Sequence, residues 1–250
     1  MGAEESTQQQ QEQSSKKDLS TDDISDVEVK EPTAEDMQKW FNSKFAVNVS
    51  AQAFELKEQI TKIRRYFHRN PELSYQEQNT SKVIAHYLQK MKLDAVTEGV
   101  AGTGVVGLLK GDNPGPCILL RADMDALPVT EQNDVEFKSA KEGVMHACGH
   151  DCHMAILLGA AEILSKLREQ IHGSIKFVFQ PAEEGGAGGK KMIEEGVLEN
   201  PHVDQVYGLH VWSYAKFGVG GHAAVPNGTK DAVVAVAQLV IQLHTIVPRN

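Results

Sequence analysis

The stretch Ser174-Ile175-Lys176-Phe177-Val178-Phe179-Gln180-Pro181-Ala182-Glu183-Glu184-Gly185-Gly186-Ala187-Gly188-Gly189 changes character twice. Ser174 to Phe179 is a short apolar run with β-branched and aromatic residues, the composition of a buried strand. Pro181 ends it, two adjacent carboxylates follow, and a glycine-rich turn leads into a short helix at Gly188 to Glu195. Strand, acidic turn and helix in that order make half of a βα unit, and the alternation continues on both sides. Upstream, Phe54, Leu56, Ile60, Ile63, Tyr66 and Phe67 recur at helical spacing before Asn70-Pro71. A second helix is expected over Glu77 to Met91. Strands are expected at Gly104 to Leu109 and Cys117 to Arg121, separated by the turn Gly111-Asp112-Asn113-Pro114-Gly115, and a helix at His153 to Leu167. Downstream, Val206 to Trp212 reads as a strand and Asp231 to Ile246 as an amphipathic helix. Short strands alternating with helices predict an α/β fold: a largely parallel mixed sheet with flanking helices.

Composition narrows the function classes. Of 250 residues, 41% are hydrophobic and 24% charged, as in ordinary globular proteins. The net charge is −9, and most of it lies in residues 1–40, which hold eleven acidic and four basic residues. Residues 1–50 are rich in Gln, Ser, Glu and Asp and read as a disordered tail. The remainder is nearly neutral and offers no basic face for nucleic acid. The polar start carries no signal-peptide pattern, and no apolar run is long enough to span a bilayer. Three cysteines, Cys117, Cys148 and Cys152, make no disulfide framework. The expectation is a cytoplasmic protein without a membrane partner. Gly102-Thr103-Gly104-Val105-Val106-Gly107 spells a dinucleotide fingerprint, but a strand rather than a helix follows it, so it reads as a glycine-rich strand entry.

Four motifs carry chemistry. In His146-Ala147-Cys148-Gly149-His150-Asp151-Cys152-His153, two thiols and three imidazoles crowd the start of an apolar helix. Thiolate and imidazole suit borderline transition metals, and a helix N-terminus favours thiolate. Glu183-Glu184 follows a strand, where α/β sheets place their ligands; one carboxylate can bind metal while its neighbour takes a proton. Gly208-Leu209-His210-Val211-Trp212 sets a His in an apolar strand. Arg121-Ala122-Asp123-Met124-Asp125-Ala126-Leu127-Pro128 sets two aspartates after another strand. Taken singly, each has an ordinary alternative: a satisfied cap, a solvated turn, a core histidine, a turn aspartate.

Together the motifs resemble the metal-dependent amidohydrolases and peptidases, in the branch of hippurate hydrolase and the indole-acetyl-amino-acid hydrolases. The resemblance begins at Arg64-Arg65-Tyr66-Phe67-His68-Arg69-Asn70-Pro71-Glu72-Leu73-Ser74, runs through RADMDALPV, HACGHD, FQPAEEGGAGGKKMIEEG and GLHVW, and covers most of residues 54–246. It implies a zinc-exopeptidase-like catalytic domain and hydrolysis of the amide bond of N-acyl amino acids. It also implies two divalent metal ions, manganese or zinc, held by Cys148, His150, Glu184 and His210. Glu183 is implied as the general base that deprotonates the attacking water and then protonates the leaving amine. His222 is implied as a substrate-binding residue of a lid domain that also forms a homodimer.

The sequence departs from this pattern in two places. Only Ser213 to Val219 separate Trp212 from the lid motif Gly220-Gly221-His222, too few residues for the further strands of the family. None of the ten histidines lies beyond His244, so nothing fills the role of a further metal-binding His. The resemblance therefore implies residues 51–219 as the N-terminal part of a catalytic domain, residues 220–250 as the beginning of a lid, and a weakened second metal position. Two other functions stay open: a catalytically inactive fragment acting as a binding or regulatory protein, and a cysteine hydrolase using Cys148 with His146 or His150.

Overall fold

The computed structural model describes residues 51–211. The tail at 1–50, the helix expected at Asp231 to Ile246, and the lid segment with His222 lie outside the described residues.

Two helices open the described chain, α1 (Ala51–Glu55) and α2 (Lys57–Arg69). In α2 the apolar stripe of Ile60, Ile63, Tyr66 and Phe67 is buried. Asn70 ends the helix: its backbone N–H turns back to Tyr66 and Phe67, and its Nδ2 donates to the Tyr66 carbonyl at 2.9 Å. Pro71 then forbids another turn. Helix α3 (Gln78–Lys90) begins on a carboxylate. Glu72 accepts from the N–H groups of Asn79 (3.0 Å) and Thr80 (2.8 Å), donors that a helix start leaves without partners.

Five strands form one sheet: β1 (Ala95–Val100), β2 (Gly104–Lys110), β3 (Asn113–Asp123), β4 (His172–Gln180) and β5 (Gln205–Gly208), in the order β1-β2-β4-β3-β5. The β1–β2 and β2–β4 pairs are antiparallel, and the β3–β4 and β3–β5 pairs are parallel. Four strands thus point one way and β2 alone opposes them, giving the largely parallel mixed sheet expected from sequence. The carboxyl ends of β3, β4 and β5 share one edge. Gly104, in the glycine-rich stretch, opens β2, and no helix follows it.

Period-2 alternation divides the sheet into two buried faces. Val105, Leu109, Leu120, Ala122, Ile175, Phe177 and Phe179 pack with α2, α3 and α4 (His150–Ser165). Cys117, Leu119 and Val178 face the other way, toward Met192 of α5 (Gly188–Glu194) and Val203. Lys176 shares that second face and is itself buried. Its ammonium is satisfied by the carbonyls of Val197 (2.9 Å) and Glu199 (2.6 Å), which is why a lysine stands in an apolar strand. Almost every residue of α4 is buried, so it is the central helix of the layer.

Several boundaries differ from expectation, among them the start of β3, which takes in Asn113 to Gly115 of the expected turn. Helix α4 begins at His150 rather than His153, because Gly149 at φ +85° provides the left-handed turn that starts it. Strand β5 stops at Gly208, so His210 lies beyond the ladder and is exposed. Strand β1 was not anticipated: it is an edge strand, mostly exposed and bulged at Gly99, so it shows no apolar alternation.

Residues 124–149 connect β3 to α4 without a helix or named strand. A buried ion network fixes this connection. Glu131 accepts from the Ser139 N–H at 2.7 Å and contacts His68 Nε2 at 3.0 Å. His68 Nδ1 lies 2.9 Å from Asp151 Oδ2, which also pairs with Arg64 Nε at 2.8 Å. Burial opposes a charge on His68, but hydrogen bonds to Asp151 and Glu131 outweigh it and raise its pKa, so the ring donates from both nitrogens.

Candidate metal centre

The site assembles where β3, β4 and β5 end and α4 begins. Asp123 is the last residue of β3, Glu183 and Glu184 follow β4, and His210 follows β5. Cys148 and His150 flank Gly149 at the start of α4. Clefts at the carboxyl ends of parallel strands are the usual ligand position in such sheets.

His150 is the centre of the group. It is fully buried, and its Nδ1 donates to the backbone carbonyl of Asp125 at 2.8 Å, so Nε2 is the nitrogen left facing the cleft. Nε2 is buried without a hydrogen-bond partner among the described residues, and so is Oε1 of Glu184, 3.9 Å away. Oε2 of Glu183 lies 3.9 Å from the same nitrogen. Cys148 Sγ stands 3.5 Å from Nε2 of His210, whose Nδ1 lies 2.7 Å from the Val211 carbonyl. Each of the groups Cys148–His150–His210 and His150–Glu183–Glu184 has its ligand atoms within 4.8 Å of one another.

Electrostatics favours positive charge here. Burial opposes protonation of His150, but Asp125, Cys148 and Asp123 overcome it and push the imidazole up to about 11. A field that holds a proton so firmly also favours a divalent cation. Two buried donor atoms without partners, aimed at one place beside a thiol and a further imidazole, fit a divalent metal.

A third group, Asp123–His150–His153, is also close enough to hold an ion, but the atoms of Asp123 and His153 are already engaged. His153 Nδ1 is hydrogen-bonded to Asp123 Oδ1, and His153 Nε2 accepts from the Val211 N–H at 2.9 Å. Asp123 Oδ2 accepts from Arg121 at 2.7 Å. Asp125 is a support as well: its Oδ2 accepts from Ser74 Oγ (2.7 Å) and from the Glu184 N–H (2.9 Å), tying the acidic turn to the histidine it carries. The sequence placed both aspartates after a strand without a role; the alternation RADMD, which turns both inward at the strand end, is the signal for them. His146 stays apart. It is buried with both ring nitrogens lacking partners among the described residues, and burial pushes its pKa down to about 4.

The structure therefore brings together Cys148, His150, Glu183, Glu184 and His210, residues up to 62 positions apart in sequence. Residues 119–238 match Peptidase family M20/M25/M40. That stretch carries a Peptidase M20 domain segment. Thermostable carboxypeptidase 2 of Saccharolobus solfataricus is 46% identical to this chain over 221 residues, which take in 78% of the chain and 56% of that protein. IAA-amino acid hydrolase ILR1-like 5 of Arabidopsis thaliana is 44% identical over 210 residues, 75% of the chain and 47% of that protein. The solved Bacillus subtilis YXEP protein, described as a dinuclear metal binding peptidase from the M20 family, superposes with a TM-score of 0.61 at 40% identity. That match covers 64% of this chain and 45% of that one. The chain thus spans about half the length of the relatives it matches. No described helix is long and apolar enough to cross a membrane.

Proposed function

We propose that this chain carries the metal centre of an amidohydrolase that cuts the amide bond of N-acyl amino acids. The observation that carries the reading is the pair of buried donors without partners, His150 Nε2 and Glu184 Oε1, converging beside Cys148 and His210. Cys148, His150, Glu184 and His210 hold two divalent ions, one of them more weakly. Thiolate with imidazole suits zinc, and the carboxylate admits manganese. When bound, the ions supply Lewis acidity toward the amide carbonyl and the attacking water.

The chain's own groups do the rest. Glu183 is the more exposed carboxylate of the pair, with 40% of its side chain open to solvent, so water has access to it. It takes the proton of the attacking water and delivers it to the leaving amine. Glu184 is more buried and held from its backbone by Asp125, as a ligand should be. Asp125 holds the tautomer of His150 that leaves Nε2 available. The names of the plant hydrolase and the archaeal carboxypeptidase support amide-linked amino acids as the substrate class. His222 contributes to substrate binding from a lid that also forms a homodimer, and the protein works in the cytoplasm.

The test is turnover of N-acyl amino acids by the full chain with added zinc or manganese. EDTA abolishes activity, and Glu183→Gln lowers kcat by about 10² to 10⁴ while metal content is unchanged. Activity indifferent to chelator but lost on alkylation overturns this reading in favour of a cysteine hydrolase. A folded, metal-loaded chain without turnover points to a non-catalytic binding protein.

A further inference from the structure

The segment that carries His210 has left the sheet. The β3–β5 ladder ends at the Arg121–Gly208 pair, so Leu209, His210 and Val211 run on beyond its backbone bonds. Two contacts hold Val211. Its N–H donates to His153 Nε2 at 2.9 Å. Its side chain lies over Gly149, where an added Cβ would stand 2.5 Å from Val211 Cγ2. The rings of His153 and His210 meet edge to face, with centroids 4.6 Å apart.

His153 is itself fixed from behind. Its Nδ1 donates to Asp123 Oδ1, which sets the tautomer and leaves Nε2 as an acceptor. Arg121 donates to Asp123 Oδ2 at 2.7 Å and to Gln180 Oε1 at 2.8 Å. A continuous chain of hydrogen bonds therefore runs from the end of β4, through the end of β3 and α4, to the backbone next to His210.

We propose that His153 is a positioning residue for His210. By accepting the Val211 N–H it fixes how far His210 reaches toward Cys148, and so sets the affinity of the metal position those two residues close. Neither ring nitrogen of His153 is available to a metal, so its action is through the backbone of Val211. This inference rests on the metal-centre reading above, and the test separates the two.

Cobalt(II) is titrated into the full chain and its binding is followed by the thiolate-to-metal absorption of Cys148, with Cys148→Ala as reference. Amide exchange at Val211 is measured on the metal-free protein. His153→Ala weakens cobalt binding by about 10- to 100-fold and speeds Val211 exchange. His153→Gln, which can put an acceptor oxygen near the Nε2 position, recovers most of both. His153→Asn is too short to reach Val211 and recovers neither. Cobalt affinity in His153→Ala within about threefold of wild type overturns the proposal, as does recovery by Asn equal to that by Gln. In the wild-type protein, which does not depend on a variant folding, nitrogen NMR must show His153 protonated at Nδ1 and not at Nε2; the reverse tautomer also overturns it. Absence of a cysteine-dependent cobalt signal in wild type, with Val211 protected by His153, locates the failure in the metal reading. Fast Val211 exchange with an intact cobalt signal locates it in this one.

Discussion

Replacing Asp151 with Asn removes one charge from the buried network that anchors the start of α4. Asp151 Oδ2 faces two cations, Arg64 Nε at 2.8 Å and His68 Nδ1 at 2.9 Å, and its side chain is 1% exposed. Its carboxyl is held far below the usual range: burial works against the charge, but Arg64 and His68 prevail. Asparagine keeps the shape, yet leaves Arg64 without its buried counter-charge and His68 with Glu131 alone. Breaking a buried pair from one side costs about 3–5 kcal/mol. For a protein of this size, each kcal/mol lowers Tm by about 2–4 °C, so the variant should melt about 6–20 °C below wild type. The assay is thermal unfolding of both proteins at pH 7, metal-free, followed by circular dichroism. Because Asp151 directly follows His150, metal affinity should fall as well. A Tm within about 2 °C of wild type would refute the reasoning, since it would mean that the network carries little net stability.

The same network sets a pH window. His68 is raised above its ordinary 6.5, so its contribution is complete below that value and is lost as pH rises through the raised one. Glu131 is lowered from 4.5, since its bonds to Ser139 and His68 outweigh burial, so its contribution is complete above 4.5 and is lost as pH falls. In chemical unfolding across pH, His68→Gln should flatten the alkaline decline of stability; an unchanged alkaline limb contradicts the assignment. Gly149→Ala meets both a left-handed φ of +85° and the Val211 side chain, so it should cost about 1–3 kcal/mol in urea unfolding and weaken metal binding. Wild-type stability in that variant would show that the turn tolerates a side chain.

Much of this arrangement can be read from local sequence. The strands β2, β3 and β4 announce themselves as apolar runs because both faces of the sheet are covered, so period and composition agree. Strand β1 does not, since an exposed edge leaves no pattern to read. HACGHD and QPAEE are legible as chemistry because their reactive groups are contiguous. The convergence of Cys148 and His210 across 62 residues is a property of the parallel β3–β5 pairing, which no local window contains; it came from the family resemblance. The roles of Asp123, Asp125 and His153 depend on which ring nitrogen meets which oxygen, and that is a matter of three-dimensional register. His68 was quoted within a motif, but its place between Asp151 and Glu131 follows from the packing of α2 against α4 and the 124–149 connection.

The most direct measurement is the divalent metal content of the purified full chain after equilibration with zinc and with manganese, beside Cys148→Ala and Glu184→Gln. Wild type should retain at least one ion per chain through dialysis, and each variant should lose most of it while keeping its fold. Equal metal in all three folded proteins, or none in wild type, would mean that the thiol, the imidazoles and the carboxylate gathered at this cleft do not form a metal centre.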